Sequence, residues 1–575
     1  MTVQGRYWLP LALLIGSDVL RAQDQLDIRI TPANPPLQAN IQAYLGGVAE
    51  GDEQALRRLA PMAESQAQQA SQALGYYQAQ IEARLAPGQP PRLLIEVRPG
   101  EPVRLREVIL RLDGPARQLP AFQLPDSTLL KPGAVLHHGH YEDAKKLIEN
   151  QAQRYGFFSG HFTRQQLRID PAAGVADIAL IYASGPRYRL GKVSFSGDSA
   201  LDPALLQRMV PFRPGTAYDA ERIAELYQAL QGSGYFEAVR VDADPALAVG
   251  QEIAVQVQLV SREPRTLSFG LGFSTDVGPR TRANWTRHWA NPQGHSYGAE
   301  LELSAPRQNL GLWYDVPGEQ PLTDKFRVAG GYQNQQLADT DSDSRLLTFG
   351  PEWHRELASG WQRVLSLKYQ HETYNLGDDA GRSSLLMPGV SFGYLRSDNR
   401  IDPNRGYRLQ VDSAVAKQGL LADTDLWHAN LLLKGLATPL PRHRLLGRFQ
   451  VGGTLTGDYA SVPASLRFFA GGDQSVRGYD YQSLSPEDAD GERVGGRYLL
   501  AGSLEYQYAL AERWRVAAFV DQGNAFDSLQ LDELKTGVGL GLRWVSPVGP
   551  LRLDLAHALD EPGGIRLHFS MGPEL

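Results

Sequence analysis

The sequence predicts three consecutive α+β repeats of β-α-α-β-β order, followed by a transmembrane antiparallel β-barrel of about 16 strands. Three observations predict it. A glycine followed by two aromatics recurs at Gly75-Tyr76-Tyr77, Gly156-Phe157-Phe158 and Gly234-Tyr235-Phe236. Beyond Arg265 helical spacing gives way to an alternation of apolar and polar residues. No apolar run reaches the roughly 18–20 residues that a membrane-spanning helix needs, so any crossing is made by strands.

Residues 1–22 read as a secretory signal peptide: Arg6 precedes the short apolar stretch Trp8–Ile15, and Ala22 offers a small residue for cleavage. The repeats follow at 23–99, 100–186 and 187–264. In the second copy Ala144, Leu147, Ile148 and Ala152 share one helical stripe; in the third Ile223, Leu226, Tyr227 and Leu230 do. Gly75, Gly156 and Gly234 are expected to end each helix in a left-handed conformation, and the aromatic pair to begin a strand. Lys131-Pro132-Gly133 and Arg213-Pro214-Gly215 mark equivalent turns ahead of the second helix. Alternating stretches at 93–97, 176–182 and 253–260 close the copies.

Residues 265–575 form the barrel. Leu301 and Leu303 alternate with Glu300 and Glu302, Leu551, Leu553 and Leu555 with Arg552 and Asp554, and Ile565, Leu567 and Phe569 with Arg566 and His568. Each strand therefore has one greasy and one polar face. In a membrane every backbone polar group must be paired, so such a sheet closes on itself, apolar phase to lipid and polar phase to a wet lumen. The 58 glycines and 24 tyrosines fit tight turns and interfacial aromatics.

The most specific motif is Arg467-Phe468-Phe469-Ala470-Gly471-Gly472, followed by Ser475 and then Val476, Arg477, Gly478 and Tyr479. Two acids qualify as partners of Arg477. Leu504, Tyr506 and Tyr508 form an apolar phase that leaves Glu505 lumenal, and Val516, Ala518 and Val520 leave Asp521 lumenal. A guanidinium in the lumen is expected to bridge both through charge-assisted hydrogen bonds.

This motif, with Gly502-Ser503-Leu504-Glu505 and Phe519-Val520-Asp521-Gln522-Gly523, resembles the Omp85 superfamily, and the repeats resemble its polypeptide-transport-associated (POTRA) domains. Three repeats are most similar to the translocation and assembly module (TamA) branch. That resemblance implies a bacterial outer-membrane protein with periplasmic repeats and a loop folded back into the lumen. It further implies unfolded outer-membrane clients such as autotransporters and an inner-membrane-anchored TamB-like partner. The alternatives on the same scaffold are a two-partner-type secretion pore and lipid transport to the outer membrane. A weakly paired lateral gate between the first and last barrel strands is expected from Gly270 and Gly272 on one side and Gly564 and Gly572 on the other, because glycine weakens a strand.

Other chemistries are excluded or disfavoured. With no cysteine, thiol catalysis, disulfides and thiolate metal sites are excluded. A net charge of −7 argues against a nucleic-acid partner. Gly389-Val390-Ser391-Phe392-Gly393 fits the serine-hydrolase elbow only in letters, since no helix follows. His137, His138 and His140 read as a polar loop without further metal ligands. No catalytic residue, cofactor or metal is expected.

Overall fold

The computed structural model describes residues 26–46, 53–87, 92–336, 342–377, 379–399, 401–528, 533–546, 549–561 and 564–572. The expected signal peptide, 1–22, lies outside them. The first repeat contains β1 (Leu26–Ile30), α1 (Pro35–Leu45), α2 (Glu53–Ala73), β2 (Gln80–Ala86) and β3 (Arg92–Arg98). The second contains β4 (Arg104–Asp113), α3 (His138–Tyr155), β5 (His161–Asp170) and β6 (Val175–Ala183). The third contains β7 (Arg189–Asp198), α4 (Pro203–Arg208), α5 (Ala220–Gly232), β8 (Phe236–Asp242) and β9 (Glu252–Ser261).

The three sheets share one topology, with the last strand of each repeat in the middle: β1-β3-β2, β4-β6-β5 and β7-β9-β8. Those central strands are the alternating stretches of the sequence. In the first repeat Leu37, Ile41 and Leu45 of α1 and Ala63, Ala67 and Ala70 of α2 cover Leu93, Ile95 and Val97 of β3. The small side chains of α2 let its backbone approach the sheet closely. The paired turns also correspond. Gly133 and Gly215 both have φ of 86°, and each donates its N–H to the first strand of its repeat, to Leu105 O and Leu190 O respectively, at 2.7 Å.

Four expectations need correction. The second repeat has only one α-helix; between β4 and α3 the chain forms a short 3₁₀ turn, Pro115–Gln118, and then runs irregularly. Pro120, Pro125 and Pro132 remove backbone donors there and block helical conformation in the residues before them. Gly75, Gly156 and Gly234 do adopt positive φ, at 89°, 79° and 80°. The aromatics, however, open a strand only at Phe236; in the first two copies a turn intervenes before Gln80 and His161. The histidines are not in a loop: His137 caps α3, accepting the N–H of His140, and His138 and His140 form its first turn. Leu147 and Tyr227 are exposed, so the buried stripes of α3 and α5 are narrower than the sequence suggests.

The second half is a single antiparallel sheet of 16 strands in sequence order, from β10 (Arg265–Ser274) to β25 (Ile565–Met571). Leu301, Leu303, Leu504, Leu553, Leu555 and Leu567 are all exposed on its outer face. Glu372, Glu505, Gln507, Asp521, Arg543 and Asp554 are all buried. A sheet that turns leucine outward and hides its carboxylates has its solvent relationship inverted, as lipid outside and a polar lumen inside require. Gly389 to Gly393 lie within one long strand, Asp379–Ser397. β10 and β25 are the two edges of the sheet. The hydrogen bonds described across that seam run from Thr275 N–H to Phe569 O (3.0 Å) and from Phe569 N–H to Thr275 Oγ1 (3.1 Å).

Candidate functional site

The conspicuous motif lies on the long connection between β20 (His443–Thr456) and β21 (Tyr498–Ala511). Its base is pinned first. Arg467, with a fully buried side chain, donates to Val462 O (2.9 Å), Val494 O (3.0 Å) and the carboxylate of Asp379 (2.9 Å). Glu372 of β16 (Gln362–Leu376) accepts from the Ser465 N–H (3.0 Å) and from its hydroxyl. Further along, Gly471 and Gly472 have φ of 100° and 97°. A Cβ on Gly472 would stand 2.8 Å from both carboxylate oxygens of Asp276, so only glycine permits that approach.

The tip carries Arg477 into a nest of acids. Its Nε and Nη2 donate to the two oxygens of Asp521 at 2.7 and 2.9 Å, a bidentate pair, and its backbone N–H adds a third bond at 3.1 Å. Its Nη1 reaches Glu505 (2.8 Å) and Asp554 (3.1 Å). The guanidinium lies 3.4 Å from the ring centroid of Phe519, adding a cation–π contact. Arg543 completes the cluster, holding Glu505 at 2.8 Å and Asp554 at 2.6 Å. Two arginines thus interleave with three carboxylates, each of the five side chains at most 9% exposed. Charges this dehydrated persist only when fully paired. The acids come from β21, β22 (Trp514–Phe526) and β24 (Gly549–Ala558), and Arg543 from β23 (Lys535–Ser546).

The neighbouring tip residues are fixed as firmly. Val476 and Tyr479 are fully buried. Gly478 donates its N–H to Nε2 of His568 at 2.9 Å. The Tyr479 hydroxyl lies 3.1 Å from the Asp560 carboxylate. Arg448 of β20 donates to Ser475 O.

Sequence reasoning singled out Arg477, Glu505 and Asp521, and the structure brings these together. It missed Asp554, Arg543 and His568. All three lie on polar phases that alternation does reveal, but their pairing depends on inter-strand register. It also missed Gly537, Gly539 and Gly541, an alternating glycine row on the lumenal face of β23. A Cβ at these positions would collide with Arg477 O, the Phe519 ring and the Asp554 carboxylate respectively. The signal was visible as three glycines at spacing two before Arg543.

The four seam glycines fall into two groups. Gly270 and Gly272 sit inside β10 opposite Arg282 and Arg280 of β11 (Gly278–Arg287); the missing side chain of Gly272 leaves room for Arg280, whereas a Cβ on Gly270 would make only ordinary contact with Arg282. Gly564 and Gly572 flank β25 rather than interrupting it, and a Cβ on either would meet open space.

Residues 230–574 match the family model described as the Omp85 superfamily domain. The chain belongs to the Omp85 superfamily. Residues 27–99 match a model described as POTRA domain TamA domain 1, and 188–260 match the POTRA model described as surface antigen variable number repeat. This Omp85 chain is therefore an outer-membrane protein with periplasmic POTRA domains. It is 24% identical over 454 residues to the outer membrane protein assembly factor BamA of Nitratidesulfovibrio vulgaris, covering 74% of this chain and 56% of the relative. Against BamA of Neisseria meningitidis serogroup B it is 21% identical over 529 residues, covering 79% and 65%. The chain thus spans less than two thirds of the length of these relatives. The crystal structure of Haemophilus ducreyi BamA lacking POTRA domains 1–3 shares the fold, with a TM-score of 0.67 at 16% identity, covering 81% of this chain and 99% of that one.

Proposed function

We propose that this Omp85 protein inserts or assembles β-barrel outer-membrane clients, autotransporters among them, through a lateral gate between β10 and β25. We place it in the TamA branch, acting with an inner-membrane-anchored TamB-like partner and within the lipid bilayer. The observation that carries the reading is the seam. Every other neighbouring pair in the barrel sheet forms a ladder, whereas β10 and β25 are its edges, and among the described residues the hydrogen bonds across that seam are those between Thr275, just past β10, and Phe569. An edge strand that parts from its neighbour presents a row of unpaired N–H and C=O groups, a template for an incoming client strand. The match of residues 27–99 to the first TamA POTRA domain supports the branch and the partner. The docked tip, buried in the lumen beside the acids of β21, β22 and β24, favours assembly over an open secretion pore.

The test uses the absence of native cysteine. Phe273 and Phe569 face each other across the seam with ring centroids 5.7 Å apart. A Phe273→Cys, Phe569→Cys protein, crosslinked, should lose assembly of a β-barrel client into liposomes and recover it on reversal of the crosslink. Undiminished assembly by the locked protein sinks the gate.

A further inference from the structure

Where the loop meets the seam, Asp276, Asp473 and His568 converge, with one ligand-type atom from each lying within 4.8 Å of the others. They come from three different elements. Asp276 is in the turn after β10, Asp473 in the loop, and His568 in β25. The cluster is not built for a cation. The N–H of Gly478 points at Nε2 of His568, so the proton must sit on Nδ1, which donates to Asp473 Oδ1 at 2.7 Å. Both ring nitrogens are committed, leaving no lone pair for a metal.

The remaining bonds all lead to Asp473 and Asp276. Asp473 Oδ1 also accepts from the Thr275 hydroxyl (2.8 Å), which in turn accepts the Phe569 N–H. The Asp473 N–H donates to both oxygens of Asp276, at 3.1 and 2.9 Å. The Asp473 side chain is only 3% exposed, and its Oδ2 has no hydrogen-bond partner among the described residues. A buried, orphaned carboxylate oxygen beside a second carboxyl lacks one thing, a donor. Lys434, Arg448 and Arg552 line the same cavity as Asp473 and His568, yet among the described residues no charged or titratable group hydrogen-bonds that oxygen, and Arg448 donates to Ser475 O instead. Tyr481 is hydrogen-bonded by Arg307, and Arg566 is held by Gly478 O and Asp480. Burial, with the Asp473 charge close by, pushes the Asp276 carboxyl up to about 7.

We propose that a proton closes the seam: protonated Asp276 donates to Asp473, and loss of that proton to water releases the turn after β10 from the loop and from β25. The sign follows from the chemistry. An acid whose folded pKa is raised holds its proton, and the clasp, at low pH; as pH rises through about 7 two adjacent buried carboxylates are both charged and repel. The clasp rests on the gate reading for its consequence, not for its existence.

Nitroxide labels at Leu271→Cys and Leu567→Cys, both on the lipid face, report the seam in the full chain in nanodiscs. Distances measured at about pH 5.5 and about pH 8.5 bracket the transition. We expect a narrow distribution at the lower pH and a longer, broader one at the higher. Asp276→Asn, which keeps a donor at every pH, should stay narrow in both conditions. Asp473→Asn, which removes the neighbouring charge, should move the response to lower pH. The proposal is overturned by a native distribution that ignores pH. It is also overturned by a response that survives Asp276→Asn but vanishes in His568→Gln, or by a chelator opening the seam at low pH. These measurements need no client. A working clasp in a protein whose locked seam still assembles clients would sink the gate and leave the clasp standing.

Discussion

The backbone oxygen of Arg477 occupies the place where a Cβ on Gly537 would have to be. The loop tip and β23 are thus in contact through main chain, and any side chain at 537 must lift the tip off the barrel wall. Gly537→Ala should undock Arg477 at a cost of about 1–3 kcal/mol, typical of overpacking a filled interior. Protease cleavage within the loop, slow in the native protein, should become fast. Unchanged cleavage would mean that the tip tolerates displacement.

Removing the guanidinium should be costlier. Arg477→Ala leaves Glu505, Asp521 and Asp554 facing one another, with Arg543 as the remaining cation of the cluster described above. Breaking a buried ion cluster this way costs about 3–5 kcal/mol. Lysine restores charge but not the bidentate fit to Asp521, so Arg477→Lys should recover only part of the loss. Urea midpoints of the refolded barrel, read by heat-modifiable gel migration, would rank the three proteins. Equal midpoints would contradict a tether.

Asp554 provides a separate check because it serves two arginines at once, Arg477 at 3.1 Å and Arg543 at 2.6 Å. Asp554→Asn keeps the shape and removes the charge. It should destabilise by about 1–3 kcal/mol, and combined with Arg477→Ala its effect should be far less than additive. Additivity in a double-mutant cycle would show that the two residues act independently.

A pH effect of opposite sign is expected in the repeats. His138 Nε2 lies 2.6 Å from the Tyr77 hydroxyl, joining the first repeat to the second. Burial lowers the His138 pKa below its ordinary 6.5. The folded state therefore favours the neutral ring, and its contribution is complete above pH 6.5 and lost as pH falls through the lowered value. Hydrogen exchange in the first turn of α3, corrected for intrinsic rates, should accelerate on acidification; His138→Asn should weaken the dependence, and the remainder should come from the capping His137, whose pKa burial also lowers.

Alternation alone puts Glu505 and Asp521 on the polar face, because a strand's period fixes which side a residue takes. It puts Asp554 and His568 there as well. What it withholds is height along the barrel, which depends on the register of each intervening hairpin. The repeats show the complementary limit. Their helices and central strands follow from spacing, yet the second copy loses a helix to prolines that a search for recurrence passes over. The orphaned oxygen of Asp473 is a matter of three-dimensional packing, and no pattern of letters encodes it.

The arginine at the loop tip precedes every residue that holds it. Its carboxylates lie 28, 44 and 77 positions later in the chain, and the histidine under Gly478 lies 90 positions later. A chain that emerges from its amino end therefore has no seat for the tip until the final hairpins stand in their register. A docked tip is therefore a countersign that this barrel's own closing strands have arrived.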